Sequence, residues 1–185
     1  TDLRWANLTG GNLTNARLNM ADLRGAFLEG VNLGAANLSL ADLRGCNLTY
    51  VNLAEADLDG ADLSDGRFGV PTDLSWANLN YTNLSHARAN GAVLRGASLV
   101  SANLKNAWLF KVDLSEADLR RANLNGTHLL GADLTGARLD GADLTNASIN
   151  GVDLTGATID GVDLDAVGRF GSITMPDGSK IWDGR

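Results

Sequence analysis

Leucine recurs every fifth residue through most of this chain. In the segment ADLRGCNLTYVNLAEADLDG, residues 41–60, each of Leu43, Leu48, Leu53 and Leu58 lies five positions after the one before it. Five residues advance a helix by about 500°, so these leucines would spiral around the axis without forming a stripe. In a continuous strand, an odd spacing places successive leucines on opposite faces. The period therefore excludes both regular structures and requires a chain that bends once in every five residues.

The other positions of the five-residue unit are restricted as well. Fourteen units run from Thr1 to Val70, one extra residue follows at Pro71, and nineteen units run from Thr72 to Ala166. Of these 33 units, 29 have Leu third, 21 have Ala first and 22 have Asp or Asn second. Gly is fifth in 14 units and Asn in three, and both residues tolerate the positive φ that a sharp corner needs. Since the first and third residues of an extended triplet share a face, the pattern predicts a β-solenoid with Ala and Leu inside.

A slower period of twenty residues lies on top of the first. ADLRG occurs at residues 21–25 and again at 41–45, and ADLTG at 132–136 is echoed by VDLTG at 152–156. Such spacing favours four units per coil, with each copy stacked on the previous one.

These motifs, ADLRG, ANLSL, ADLTG and VDLTG, resemble those of the pentapeptide repeat family of the A(D/N)Lxx type, and its cyanobacterial and other bacterial members in particular. The resemblance covers residues 1–166. It implies an all-β fold, a right-handed quadrilateral parallel β-helix of about eight coils with four pentapeptides each. We expect one repeat domain, residues 1–166, with a one-residue interruption at Pro71.

Residues 167–185 lack the pattern. They contain the turn sequence Pro-Asp-Gly at residues 176–178 between two β-prone stretches, which predicts a hairpin or an extended flap. Because the last coil of a solenoid is otherwise an unpaired edge, we expect this tail to act as a C-terminal cap.

No residue pattern indicates a catalytic, cofactor or metal site. His86 and His128 lie in separate units, and neither has a Cys or His neighbour at the spacing of metal ligands. Cys46 occupies a first position, where a small residue points inward, so we expect it to be buried and unreactive. The sequence therefore predicts a protein that is not an enzyme and that has no cofactor.

The candidate site is on the outer surface. One predicted column of second positions departs more than the others from Asp and Asn, and it consists of Asn7, Phe27, Asn47, Arg67, Arg88, Trp108, His128 and Ser148. With the neighbouring fourth and fifth positions, it predicts an interaction patch of Arg88, Trp108, Phe110, Lys111, His128 and Leu130. Exposed aromatic residues beside arginine are typical of protein interfaces. The alternative is a ladder of stacked side chains that only stabilises this side of the rod.

Charge limits the classes of partner. The net charge of −7 argues against direct binding to nucleic acid or to an anionic membrane, and no apolar run is long enough for membrane insertion. Arg4, Arg24 and Arg44 are predicted to stack beside three aspartates as a solvated ladder, with little energy in each pair. Residues 132–165 carry seven acidic residues against one arginine, so this end of the rod is acidic.

We therefore expect a non-catalytic scaffold or protein–protein interaction module with an unidentified protein partner. The family resemblance raises one alternative, a DNA-mimic inhibitor or protector of DNA gyrase, although a charge of −7 imitates duplex DNA poorly. We expect a monomer, or a homodimer formed through a coil end. The expected location is the cytoplasm, with the periplasm or the thylakoid lumen as alternatives if a signal segment has been removed.

Overall fold

The chain winds into stacked coils joined by parallel β-bridges. The computed structural model describes residues 1–66, 69–168 and 170–182. Second-position residues twenty apart are paired, as in the series Asp2, Asp22 and Asp42, so a coil contains four five-residue units, as the slower sequence period predicts. Across the described residues, no helix has both the length and the apolar composition needed to cross a membrane.

The bridges form four ladders, one on each side of the coils, which we call faces 1 to 4. Face 1 contains Asp2, Asp22, Asp42, Asp62, Arg88, Trp108, His128 and Ser148. Face 2 contains Asn7, Phe27, Asn47, Asp73, Val93, Asp113, Asp133, Asp153 and Thr174. Face 3 begins with Asn12 and Asn32, and face 4 begins with Arg17 and Asn37.

Every backbone N–H of a typical unit has a partner. In the unit that begins at Ala21, the N–H groups of Asp22, Leu23 and Gly25 donate to carbonyls of neighbouring coils, and that of Ala21 donates to the third residue of the preceding unit. The remaining N–H, that of Arg24, donates to Oδ1 of Asp22 at 3.3 Å. The second-position side chain thus satisfies the one donor that the ladder leaves free, which accounts for Asp and Asn at that position.

The first and third positions fill the interior. Third-position residues such as Leu23, Leu43 and Leu99 are fully buried, and each contributes about 1.5–3 kcal/mol of hydrophobic stabilisation. Cys46 is buried among them, as predicted. Burial raises the pKa of its thiol to about 12, so the thiolate that would react is scarce at neutral pH.

The fifth residue of each regular unit forms the corner with its backbone in the left-handed region. The fifth residues have φ near +60°, and sixteen of the described positive-φ residues are not glycine. They include Trp5, Tyr50 and Trp76. The corner geometry is therefore imposed by the coil and is adopted even by residues for which it costs about 1–2 kcal/mol.

The interruption is larger than the predicted one residue. Asn47 bridges Asp73 and Asp62 bridges Arg88, separations of 26 residues where the regular value is twenty. The prediction of a single inserted residue at Pro71 is therefore wrong: six residues beyond the regular spacing separate the bridged units, and we call the segment 66–71 the loop. The N–H of Gly66 donates to the carbonyl of Val70 across this loop. Phe68, which we predicted to take a leucine position, lies outside the described residues, as does Arg67.

The loop shifts the columns by a whole face. Our predicted column joined Asn7, Phe27 and Asn47 to Arg88, and this is wrong, because Arg88 continues the face 1 ladder after Asp62. The physical reason is that the loop takes the place of one unit without supplying a side of the coil, so each later unit lies one side earlier than the predicted register places it.

The tail forms the predicted hairpin. Strand β1, Ile173–Thr174, pairs antiparallel with strand β2, Lys180–Ile181. Thr174 also bridges Asp153 in parallel, and its N–H donates to the carbonyl of Val152. The hairpin therefore continues the face 2 ladder at the last coil. The domain division after residue 166 stays a prediction.

The hydroxyl of Thr72 replaces a backbone hydrogen bond that is missing beside the loop. A regular corner N–H donates to a fourth-position carbonyl of the next coil, but the N–H of Gly45 donates to Oγ1 of Thr72 at 2.9 Å. That hydroxyl in turn lies 2.9 Å from the carbonyl oxygen of Ser64, to which it donates. The buried hydroxyl thus bridges two backbone groups that the loop has separated.

We predict that Thr72→Val destabilises the protein by about 1–3 kcal/mol, because it leaves the N–H of Gly45 without an acceptor. Thr82→Val is the matched control, since Thr82 is equally buried but its hydroxyl only donates to the carbonyl of Leu53. Urea unfolding followed by circular dichroism measures both. Equal losses of stability in the two variants would show that Thr72 has no special role at the loop.

Candidate interaction surface

Three aromatic rings pack together on face 1. The ring centroids of Trp108 and Phe110 are 5.5 Å apart and the rings are perpendicular. The His128 ring is 4.7 Å from Trp108 and 5.9 Å from Phe110. Such edge-on and tilted pairs are favourable aromatic geometries. The cluster remains accessible, because Trp108 is 44% exposed while Phe110 and His128 are half-buried.

The preceding coil makes room for the tryptophan. At a second position, Trp108 cannot accept the hydrogen bond that Asp or Asn takes from the fourth-position N–H. Instead, the N–H of Phe110 donates to Oδ1 of Asn90, one coil earlier, at 3.0 Å. The same exchange occurs on face 3, where the N–H of Val100 donates to Oδ1 of Asn80 at 2.8 Å. An asparagine in the fourth position thus frees the second position of the next coil for another side chain.

The remaining predicted residues surround the cluster. Arg88 bridges Trp108 from the preceding coil and is exposed. Leu130 is the fourth residue of the unit that contains His128, and it is 44% exposed. Lys111 is exposed at the corner after Phe110. The six residues predicted from the sequence therefore lie on one face or at its edge. We call them the aromatic patch.

The sequence prediction missed the neighbours of the aromatic patch. Because the loop shifts the columns, the arginine ladder lies on face 1 above the patch, whereas the predicted register placed the two on different faces. A groove of about 400 Å³ joins them, lined by Arg44, Asp62, Ser64, Asp65, Arg88, Asn90, Trp108 and Phe110. The only sequence signal was the break in the pattern at residues 66–71. The five-residue period could not show how many of these residues lie outside the ladder.

The arginines of the ladder are neutralised by their neighbours. Arg4, Arg24 and Arg44 each pair with the aspartate two residues earlier, at 2.8, 2.6 and 2.6 Å, and their Nε atoms lie 3.5–3.7 Å from the aspartate of the next coil. Hydrogen bonds from Arg4 lower the pKa of Asp2 to about 2. Hydrogen bonds from Arg24 likewise lower the pKa of Asp22. This half of face 1 is a closed network of alternating charges.

The repeat matches the model of a known protein family. The family described as pentapeptide repeats matches in eight copies, over residues 1–34, 28–65, 72–109, 113–151 and 129–165. These matches omit residues 66–71, which are the loop that leaves the ladder. Among curated proteins, none matches the chain.

Two of the solved structures to which the chain is similar, HetL and Rfr23, are pentapeptide repeat proteins. HetL, a pentapeptide repeat protein involved in heterocyst differentiation regulation from the cyanobacterium Nostoc sp. strain PCC 7120, is 33% identical, with 96% of this chain and 82% of HetL covered and a TM-score of 0.66. Rfr23 from the cyanobacterium Cyanothece 51142 is 34% identical, with 68% and 85% covered and a TM-score of 0.40. QnrB1, a plasmid-mediated fluoroquinolone resistance protein, is 16% identical, with 87% and 75% covered and a TM-score of 0.42.

We predict that acid weakens the protein through the arginine ladder. The pKa of Asp2 is 3.8 when unperturbed and about 2 in the fold. A carboxyl with a lowered pKa stabilises the fold fully above its unfolded pKa, and this contribution is lost as the pH falls through the folded pKa. The urea concentration at the unfolding midpoint should therefore decrease as the pH is lowered from about 4 to about 2. The decrease should be small because these groups are exposed.

Arg24→Gln should make this acid dependence shallower, because it returns the pKa of Asp22 toward its ordinary value. Arg121→Gln is the control, since no ion pair of Arg121 is present within the described ranges. An unchanged slope in Arg24→Gln would contradict the role given to the ladder.

We also predict that Asn90→Ala destabilises the protein by about 0.5–1.5 kcal/mol, because the N–H of Phe110 loses its acceptor. Asn80→Ala removes the equivalent bond on face 3 together with one from the Ser98 hydroxyl, so it should cost at least as much, as measured by urea unfolding. The two variants together test whether the fourth-position asparagine replaces the missing second-position acceptor. A loss near zero in both would rule out that explanation.

Proposed function

Because this chain belongs to the pentapeptide repeat family and its coils form a right-handed β-helix, we propose that it is a non-catalytic protein–protein interaction module. In the finer architecture that we propose, the rod is square in section and has about eight coils. The aromatic patch on face 1 is the proposed contact surface, and its partner is a protein.

The accessible ring cluster of Trp108, Phe110 and His128 supports this proposal. Tryptophan and arginine are the residue types that most often dominate the energy of protein interfaces. A patch that served only to stabilise the rod would gain most by burying its largest ring, but Trp108 is the most exposed of the three. The rings also hold one another in place, so little side-chain entropy would be lost on binding.

DNA mimicry fits the distribution of charge less well. Duplex DNA carries a negative charge about every 1.7 Å along its axis. The acidic residues of the last coils are instead spread around the rod: Asp133 and Asp153 lie on face 2 and Asp143 on face 4, while Asp140 accepts hydrogen bonds from Thr158 and Asp160 on face 3. On face 2, Asp113, Asp133 and Asp153 follow one another, but Val93 and Asn47 interrupt the earlier part of that ladder. Together with the neutralised arginine ladder of face 1, the described residues therefore give no acidic stripe along the full length of one side.

We predict that Trp108→Ala removes the partners that the full chain retains from a lysate of its source cells, because the anchor of the interface is lost. Quantitative mass spectrometry of proteins retained by the immobilised variants measures this. Trp76→Ala is the matched control: Trp76 is similarly exposed, at 49%, but lies at a corner away from the aromatic patch, with its ring against Gly96.

Retention of the same partners by Trp108→Ala and the unaltered chain would contradict the proposed surface. Loss of the same partners from both tryptophan variants would indicate a general effect of surface aromatic residues. Circular dichroism and urea unfolding establish that each variant is folded before it is compared.

A further inference from the structure

We infer that the aromatic patch takes an acidic protein segment whose apolar side chains rest on Trp108 and Phe110. This inference rests on the proposed interaction function and adds the chemistry of the partner. It follows from a difference between the two halves of face 1 in the described part of the chain: the arginines of the ladder are paired with aspartates, and the cations of the aromatic patch are not.

Among the described residues, neither cation of the aromatic patch forms an ion pair. Each arginine of the ladder follows an aspartate by two residues and pairs with it. Arg88 occupies a second position itself, so its own unit supplies no aspartate there. In the part of the chain that the structure describes, no carboxylate oxygen lies within 4.0 Å of the charged nitrogens of Arg88 or Lys111.

The apolar part of the aromatic patch lies between these two cations. Trp108 follows Arg88 on the ladder, and Lys111 lies at the corner beyond Phe110. A partner segment crossing the rings would therefore place acidic groups near both Arg88 and Lys111. Charge-assisted hydrogen bonds to carboxylates are about twice as strong as neutral ones, and complementary charge selects the partner and its orientation.

The upper border of the aromatic patch carries the opposite charge. Asp62 precedes Arg88 on the ladder. Asp65 lies over Gly91, where an added Cβ would be 2.5 Å from its Oδ1. Both carboxylates line the groove beside Trp108 and would repel an acidic segment. The bound segment should therefore extend over Lys111 and Leu130 and away from the groove, and removal of the Asp65 charge should strengthen its binding.

Single-stranded nucleic acid also combines negative charge with groups that stack on aromatic rings. The chain favours an acidic protein segment over it for two reasons. Its net charge of −7 opposes a long polyanion, and the arginines that could follow a phosphate backbone along face 1 are already paired with aspartates. Tighter binding of a single-stranded nucleic acid would therefore count against an acidic protein partner.

The test uses the full chain and two labelled synthetic peptides of equal length. Each has a central pair of leucines, flanked by glutamates in one peptide and by lysines in the other, and binding is followed by fluorescence anisotropy. We expect the glutamate peptide to bind about tenfold more tightly than the lysine peptide at low salt. Arg88→Gln combined with Lys111→Gln should weaken the glutamate peptide roughly tenfold, and Asp65→Asn should strengthen it about twofold.

Arg95→Gln is the control variant, because Arg95 pairs with Glu116 at 2.6 Å on another face and should not affect binding. Trp108→Ala separates the inference from the proposed function. If Trp108→Ala loses its cellular partners while the double variant and Asp65→Asn leave peptide binding unchanged, the interaction surface stands and the acidic partner is overturned. No binding of the glutamate peptide at about 1 mM, or tighter binding of a short oligothymidylate, would also overturn it.

Discussion

The left-handed corner at every fifth residue is the constraint on which the structure depends. It turns the chain so that the next triplet again directs its first and third residues inward, and it brings the carbonyl and N–H groups of adjacent coils into register. Residues as large as Trp5 and Trp76 adopt it, although a left-handed conformation costs a residue other than glycine about 1–2 kcal/mol. The backbone hydrogen bonds between coils and burial of the leucine column offset that cost. A large corner side chain also leans onto the following coil, where the residue beneath Trp5 and beneath Trp76 is glycine.

The second position connects stability with the exposed surface. In most units its Asp or Asn accepts the fourth-position N–H, so the residue that supports the corner is also the residue that faces solvent. The unit of Trp108 avoids this requirement because Asn90 supplies the acceptor from the coil before. The solenoid can therefore place a large ring at a second position without leaving a backbone donor unpaired. The position of Trp108 in the aromatic patch depends on this exchange.

Charge on face 1 follows the same logic of position. Arginine in the fourth position lies beside the aspartate of its own unit and is neutralised there, as in the pair of Arg44 and Asp42. Arginine in the second position, as at Arg88, replaces the aspartate, so its unit has no internal partner for it. One residue type therefore serves two roles on a single face, and the position within the five-residue unit decides which one.

The sequence by itself determined the inward Ala and Leu columns, the corners, the twenty-residue coil, the buried Cys46 and the members of the aromatic patch, because all of these depend on position within the repeating unit. The tertiary structure decided which columns lie on the same face. One extra residue and six extra residues leave the five-residue pattern in the same phase, so the period after Pro71 is identical for both. The pairings across the loop, such as Asn47 with Asp73 and Asp62 with Arg88, distinguish them, and those pairings depend on contacts between coils. For this reason the groove between Arg44 and Trp108, and the acidic border of the aromatic patch, could not be predicted from the period of the chain.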